Sequence, residues 1–187
     1  MNWLSPLTVP WWIAGGWALD LFAGQQSRPH KDLDIGILRR DALVVLAALA
    51  SWDFFEAKDG VLTRLAVGQE PRADVNSLWC RTAGASEWTF ELMLDDSEDG
   101  RWVYRRQRLV QRSLNMMVRH SGEGIPYLAP EVQLLYKSRR ARPRDQADFE
   151  HVAPKLQLDA CEWLRQALAL SEPGHRWIST LDTRLLG

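Results

Sequence analysis

Residues 15–38 read GGWALDLFAGQQSRPHKDLDIGIL: a glycine pair, a short amphipathic segment, then two aspartates on an alternating apolar run. The apolar residues 11–14 before the glycines read as a strand entering a tight turn. Trp17, Leu21 and Phe22 recur at helical spacing, and Gly24 is a natural helix stop. At 33–38 the apolar residues 33, 35 and 37 alternate against Asp32 and Asp34, which is the period of a strand. Residues two apart on a strand share a face, so Asp32 and Asp34 converge while Leu33 and Ile35 enter the core. Two ionised carboxylates about 4 Å apart repel by about 4 kcal/mol at an effective dielectric of about 20. A divalent cation relieves that repulsion. An all-oxygen set suits Mg2+, which takes one or two carboxylates together with phosphate oxygens. Taken alone, a solvated strand face is the simpler reading of a D-x-D.

Arg28, His30, Asp32 and Asp34 share one parity and line one face if the chain stays extended through Pro29. A cationic entry beside a carboxylate pair suits a triphosphate; plain charge balance is the competing reading. Gly15 and Gly16, between a strand and a helix, allow a ligand to approach the backbone closely. The helix start that follows presents N–H groups and a partial positive charge. An ordinary tight turn needs the same residues.

The remaining composition narrows the class. The chain has 187 residues, with 46% hydrophobic, 25% charged and a formal net charge of −1, an ordinary globular balance with no global field for nucleic acid or anionic membrane. Cys80 and Cys161 form no CxxC pair, so a disulfide framework or cysteine-rich zinc site is not indicated, and a reducing cytoplasm fits. The four histidines are scattered without HExxH spacing. Residues 1–19 carry no charged side chain, yet they lack a basic leader and contain Pro6 and Pro10, so they read as buried domain structure rather than a membrane or export segment.

Further strands are expected at 61–67, 73–79, 88–94 and 102–104, with an acidic turn at 95–100 and a helix over 41–51. From Pro130 the character changes to helices over 130–140, 144–152, 158–170 and 173–181. The expectation is an α+β chain: a mixed-sheet lobe over 1–112, then a helical C-terminal lobe over 113–187.

Together, AGGWALDLFAGQQSRPHKDLDIGI resembles the signature of the nucleotidyltransferase superfamily, in which a Gly-Gly or Gly-Ser turn precedes a helix and a D-x-D follows on the next strand. The stretches GGWALD and RPHKDLDI, with IPYLAPEVQLLYKSRRARPRDQADF at 125–149, resemble the aminoglycoside 2''-adenylyltransferase-like group of small antibiotic nucleotidyltransferases. The resemblance implies a polymerase-β-like fold and transfer of a nucleotide, AMP from ATP, to a hydroxyl of an aminoglycoside-like small molecule with Mg2+. It further implies a third carboxylate on a neighbouring strand. In WTFELMLDD, Phe90, Leu92 and Leu94 alternate as core residues, which turns Glu91 to the other face and makes it the candidate, as catalytic group and metal ligand beside Asp32 and Asp34. Asp74 and Asp95 are fallbacks. The resemblance also implies that Lys137 reaches the nucleotide phosphates with Gly15, Gly16, Arg28 and His30. Asp145 and Asp148 either orient Lys137 or begin a helix.

A polycationic acceptor calls for an acidic cleft, to which residues 94–99 (LDDSED) could contribute. Tyr104 or Arg105 could touch ligand, although surface packing is the plainer reading. Of ten tryptophans, Trp79, Trp88 and Trp102 lie on the sheet segments, and one or two could line a sugar-binding cleft. Two alternatives stay open: transfer to a protein or tRNA, where the near-zero charge argues against the tRNA, and a non-catalytic nucleotide-binding module.

Overall fold

In the computed structural model, which describes residues 4–187, the DIGIL run forms strand β2 (Asp34–Leu38), the hub of the sheet. It runs antiparallel to β1 (Trp11–Ile13) on one side and parallel to β6 (Phe90–Glu98) on the other. Outward from β6 come β5 (Ser77–Thr82), β3 (Trp52–Lys58) and β4 (Val61–Arg64); outward from β1 come β10 (Pro126–Leu128) and β9 (Val118–His120). Short strands β7 (Arg101–Val103) and β8 (Gln111–Ser113) continue from the far end of β6. Six α-helices are present among the described residues: α1 (Gly15–Ala23), α2 (Ala42–Ala48), α3 (Pro130–Ser138), α4 (Pro143–Val152), α5 (Leu158–Ser171) and α6 (Trp177–Leu186). The class is α+β.

The alternation in β2 is the physical reason for the layering. Ile35 and Ile37 enter a core with Val45, Phe54, Leu78, Leu92 and Leu94. The opposite face of β1 and β2 packs Trp12 and Leu38 against Ala18 of α1, Val132 and Leu135 of α3, and Leu164 of α5. The C-terminal run of helices begins at Pro130, as the change in sequence character indicates, and β9 and β10 join the sheet between residue 113 and that point. No helix among the described residues is long and apolar enough to cross a membrane.

Some elements differ from expectation. Strand β3 has no apolar alternation because it buries Asp53 and Glu56, whose charges are met by Arg64 and Arg72 from neighbouring segments. The strand expected at 73–79 begins only at Ser77, since the chain first turns at Arg72–Val75. Strand β6 runs through Asp95 and Asp96 to Glu98, so the acidic residues lie mostly on a strand, and the turn is confined to Asp99 and Gly100. Helix α6 starts four residues after its expected position, beyond a turn at Gly174.

Trp177, almost fully buried, stacks on Phe149 at 4.2 Å with rings 4° from parallel, and its indole N–H donates to Gln146 (2.7 Å). This contact clamps α6 to α4. Trp177→Ala is expected to cost about 3–5 kcal/mol, and Trp177→Phe clearly less, by chemical denaturation.

Candidate functional site

Parallel register sets Asp34 directly opposite Glu91, and the ladder extends one residue back through a Glu91 N–H bond to the Leu33 carbonyl (2.9 Å). Directly opposed residues share a face, so the two carboxylates stand side by side on the side of the sheet away from Ile35 and Leu92. Asp32 precedes the strand in a bend rather than extending its alternation, and it is exposed. Burial, then the charges of Glu91 and Asp32, push the Asp34 carboxyl up to about 6; Lys137 and Arg144 oppose this. Burial also raises Glu91, against a hydrogen bond from Ser77 and with a further push from Asp32. Half-buried carboxylates raised by burial and by neighbouring carboxylates form the kind of all-oxygen site whose repulsion a divalent cation relieves. No three acidic, histidine or cysteine side chains among the described residues are already gathered to hold a metal ion. One or two carboxylates completed by phosphate oxygens is an arrangement that Mg2+ can take.

The glycine pair wraps this centre. Gly15 has φ +67°, and a Cβ there would stand 1.9 Å from Asp34 Oδ2. A Cβ on Gly16 would meet the His30 ring at 2.3 Å. The Ala14 N–H donates to the Asp34 carbonyl (2.8 Å) and the Gly15 N–H to Gln133 Oε1 of α3 (2.7 Å). The first intrahelical bond of α1 is from Ala18 to Ala14, so the Gly16 and Trp17 amides precede it at the positive end of the helix.

Two buried aspartates position the cations. Asp148 of α4 takes a bidentate pair from Arg28 (both 3.0 Å) and the Lys137 ammonium at 2.9 Å. Asp145 caps α4 through Arg142 and lies 3.4 Å from the Lys137 ammonium, so it serves both readings left open for it. Burial alone would raise the Asp148 carboxyl, but the bonds from Arg28 and Lys137 hold it below the ordinary carboxylate range. Arg28 also donates to His30 Nδ1 (3.0 Å); since arginine only donates, His30 carries its proton on Nε2, toward Asp20. Asp20 is held in turn by the Ser27 N–H and hydroxyl.

Gly15, Gly16, Arg28, His30, Asp32, Asp34, Glu91 and Lys137 all line one cavity of about 700 Å³. Lys31, Arg142 and Arg144 line it too and had no distinguishing signal beyond a generally basic run. An adjoining cavity of about 330 Å³ shares Gly15, Asp34, Lys137 and Arg142, and adds Asp95, Arg105, Arg106, Tyr136 and Arg139. The fallback acids stand elsewhere. Asp74 pairs with Lys58 at the surface, and Asp95 is buried, accepting from Tyr136 (2.5 Å) and Trp102 (3.0 Å). Asp96 and Glu98 pair with Arg39 and Arg108, so residues 94–99 do not build an acidic cleft. Tyr104 is buried, whereas Arg105 does face the second cavity. Asp20 and Gln133 escaped the sequence reading; a polar Gln133 beside the apolar stripe of α3 was the one available hint.

The two aspartates predict opposite responses to amidation. Asp34 has a raised folded value, so its protonated form is favoured below 3.8 and the stability is lost as pH rises through about 6. Asp34→Asn in metal-free protein is expected to gain up to about 3 kcal/mol at pH 7, shrinking as pH falls toward 4. Asp148 has a lowered value, so its contribution is intact at neutral pH and lost only as pH falls below the ordinary 3.8. Asp148→Asn should cost about 3–5 kcal/mol already at pH 7. Denaturation curves at pH 4 and 7 check both.

The family described as aminoglycoside-2''-adenylyltransferase matches residues 1–152. No curated protein gives a significant match to the sequence. The crystal structure of the lincosamide antibiotic adenylyltransferase LnuA, lincomycin-bound, is similar with TM-score 0.54 at 18% identity, covering 81% of this chain and 90% of that one. The crystal structure of ANT(2'')-Ia with adenylyl-2''-tobramycin gives TM-score 0.51 at 14% identity over 99% and 91% of the two chains. The solution structure of ANT(2'')-Ia gives 0.56 at 14% over 100% and 93%. At these identities the likeness speaks for the fold, that of the polymerase-β-like antibiotic nucleotidyltransferases. With its glycine turn and aspartate pair folded into one cavity and four-fifths of its length matched, the chain belongs to the aminoglycoside-2''-adenylyltransferase family and is an adenylyltransferase enzyme.

Proposed function

We propose that this protein transfers AMP from ATP to a hydroxyl of a small antibiotic-like molecule, releasing pyrophosphate. The observation that carries this reading is the single cavity in which carboxylates from β2 and β6 face cations from the 28–31 bend and helices α3 and α4. Asp32 and Asp34, with Glu91 beside them, would hold Mg2+, which supplies charge neutralisation at the phosphates. The Gly15–Gly16 turn lets the triphosphate approach the start of α1, where backbone amides and the helix dipole favour anions. Lys137, Arg28 and His30 orient the phosphates, and Asp148 and Asp20 keep those side chains in place. Glu91 takes the proton from the attacking hydroxyl; its raised value brings its basicity closer to neutral pH, where a general base works best. Attack at the α-phosphorus is in line, with pyrophosphate leaving on the side of the glycine turn. A nucleotide co-substrate and two buried free cysteines fit action in the cytoplasm.

Pyrophosphate release from labelled ATP, measured with a panel of hydroxylated antibiotics, tests this. Glu91→Gln is expected to lower kcat by about 10²-fold or more with ATP binding retained. Asp34→Asn and Asp32→Asn should lose more. Near-normal transfer by folded Asp34→Asn protein overturns the reading.

A further inference from the structure

The line of residues that begins at the site does not stop there. Across the sheet Asp34 opposes Glu91, Glu91 opposes Trp79 on β5, and Trp79 opposes Phe55 on β3. Directly opposed residues point to one face, so two carboxylates and two aromatic rings stand in one row. Trp88, just before β6, closes edge-on against both rings, with centroids 5.2 Å from Phe55 and 5.6 Å from Trp79. Strand spacing places Trp79 about 5 Å and Phe55 about 10 Å from Glu91. On the other face of the same strands Phe54, Leu78, Cys80 and Leu92 are fully packed. Phe55 and Trp79 are only half-buried, Trp88 is 36% exposed, and none of the three belongs to either core. Three large aromatic side chains are thus left as an open shelf beginning one strand away from the candidate base.

We infer that Phe55, Trp79 and Trp88 form the acceptor subsite, and that it takes a ring compound with an apolar face and at most one positive charge rather than a polycation. This rests on the proposed nucleotidyl transfer with Glu91 as proton acceptor. In-line displacement puts the attacking hydroxyl opposite the leaving pyrophosphate. With the phosphates on the glycine-turn side of Asp34, the attacking side is that of Glu91 and the shelf. Flat aromatic faces suit the apolar face of a sugar or similar ring.

The charges around the shelf decide against a polyamine. The Arg81 guanidinium, 3.9 Å from the Asp53 carboxylate, lies 4.8 Å from the Phe55 centroid and 5.0 Å from that of Trp88, so both rings already face a cation. Arg105, Arg106 and Arg139 line the adjoining cavity; of its acids, Asp95 is partnered by Tyr136 and Trp102 and Asp145 by Arg142 and Lys137, which leaves only Asp34, the carboxylate assigned to the phosphate-binding side. A polycation would meet arginines where it needs carboxylates.

Two measurements test the inference. Transfer kinetics of the wild type, Trp79→Ala and Trp79→Phe are compared with lincomycin, which carries a single amine, and tobramycin, a polyamine. Binding of lincomycin, tobramycin and uncharged phenyl β-glucoside is measured separately by saturation-transfer NMR without ATP. The wild type is expected to use lincomycin at least about tenfold better than tobramycin in kcat/KM. Trp79→Ala should raise the acceptor KM about tenfold with the ATP KM unchanged, and Trp79→Phe should restore most of it. A rise confined to the ATP KM assigns the shelf to the nucleobase and overturns the inference, as does a preference for tobramycin in transfer or binding. Absence of transfer with every acceptor defeats the proposed function; the inference then stands or falls on the binding arm, where failure to bind the glucoside or lincomycin, or binding unchanged in Trp79→Ala, overturns it.

Discussion

Asp34 and Glu91 are held next to each other by the parallel pairing of β2 with β6, and the like-charge repulsion this creates shapes everything around them. The strands cannot slip by one residue to relieve it, because Ile35 and Ile37 would leave the core on the other face. The protein therefore keeps two half-buried carboxylates with raised proton affinity and answers Asp34 with Lys137 and Arg144, and Glu91 with Arg105, rather than with direct ion pairs. In the proposed reaction a cation and phosphate would complete this arrangement of charge, which the fold holds in place beforehand.

The cations reach this centre through long-range contacts. Arg28 and Asp148 lie 120 residues apart in sequence, yet their bidentate pair joins the bend before β2 to helix α4. Lys137 of α3 shares the same carboxylate, and the Trp177–Phe149 stack fixes α4 from behind. Core packing in the C-terminal helices and the placement of cations beside the N-terminal turn are thus mechanically one arrangement.

The same sheet face divides into two environments at Glu91. Toward β2 and β1 it is walled by glycine turn, helices and charged side chains; toward β5 and β3 it is aromatic and open. The candidate base and the proposed acceptor shelf consequently lie on adjacent strands, which would be a short and rigid connection for positioning a hydroxyl.

Much of this was legible in the residues. The alternation at 33–38 marked β2, the glycine pair marked the turn into α1, and Phe90, Leu92 and Leu94 turned Glu91 to the right face, because periodicity is a local consequence of which side chains must be buried. Strand β3 was not legible, since its buried Asp53 and Glu56 become compatible with a strand only once Arg64 and Arg72 neutralise them. The charged segment 94–99 read as an acidic surface, yet its partners Tyr136, Trp102, Arg39 and Arg108 come from distant positions. The sequence by itself determined the class of the fold and, by local pattern and by its family resemblance, most of the residues that line the principal cavity, though not Lys31, Arg142 or Arg144. Only the tertiary structure decided which aspartates hold the cations, which tryptophans stay open beside Glu91 and which charges remain for an acceptor, because pairing between side chains a hundred residues apart is set by strand register and helix packing rather than by any local period.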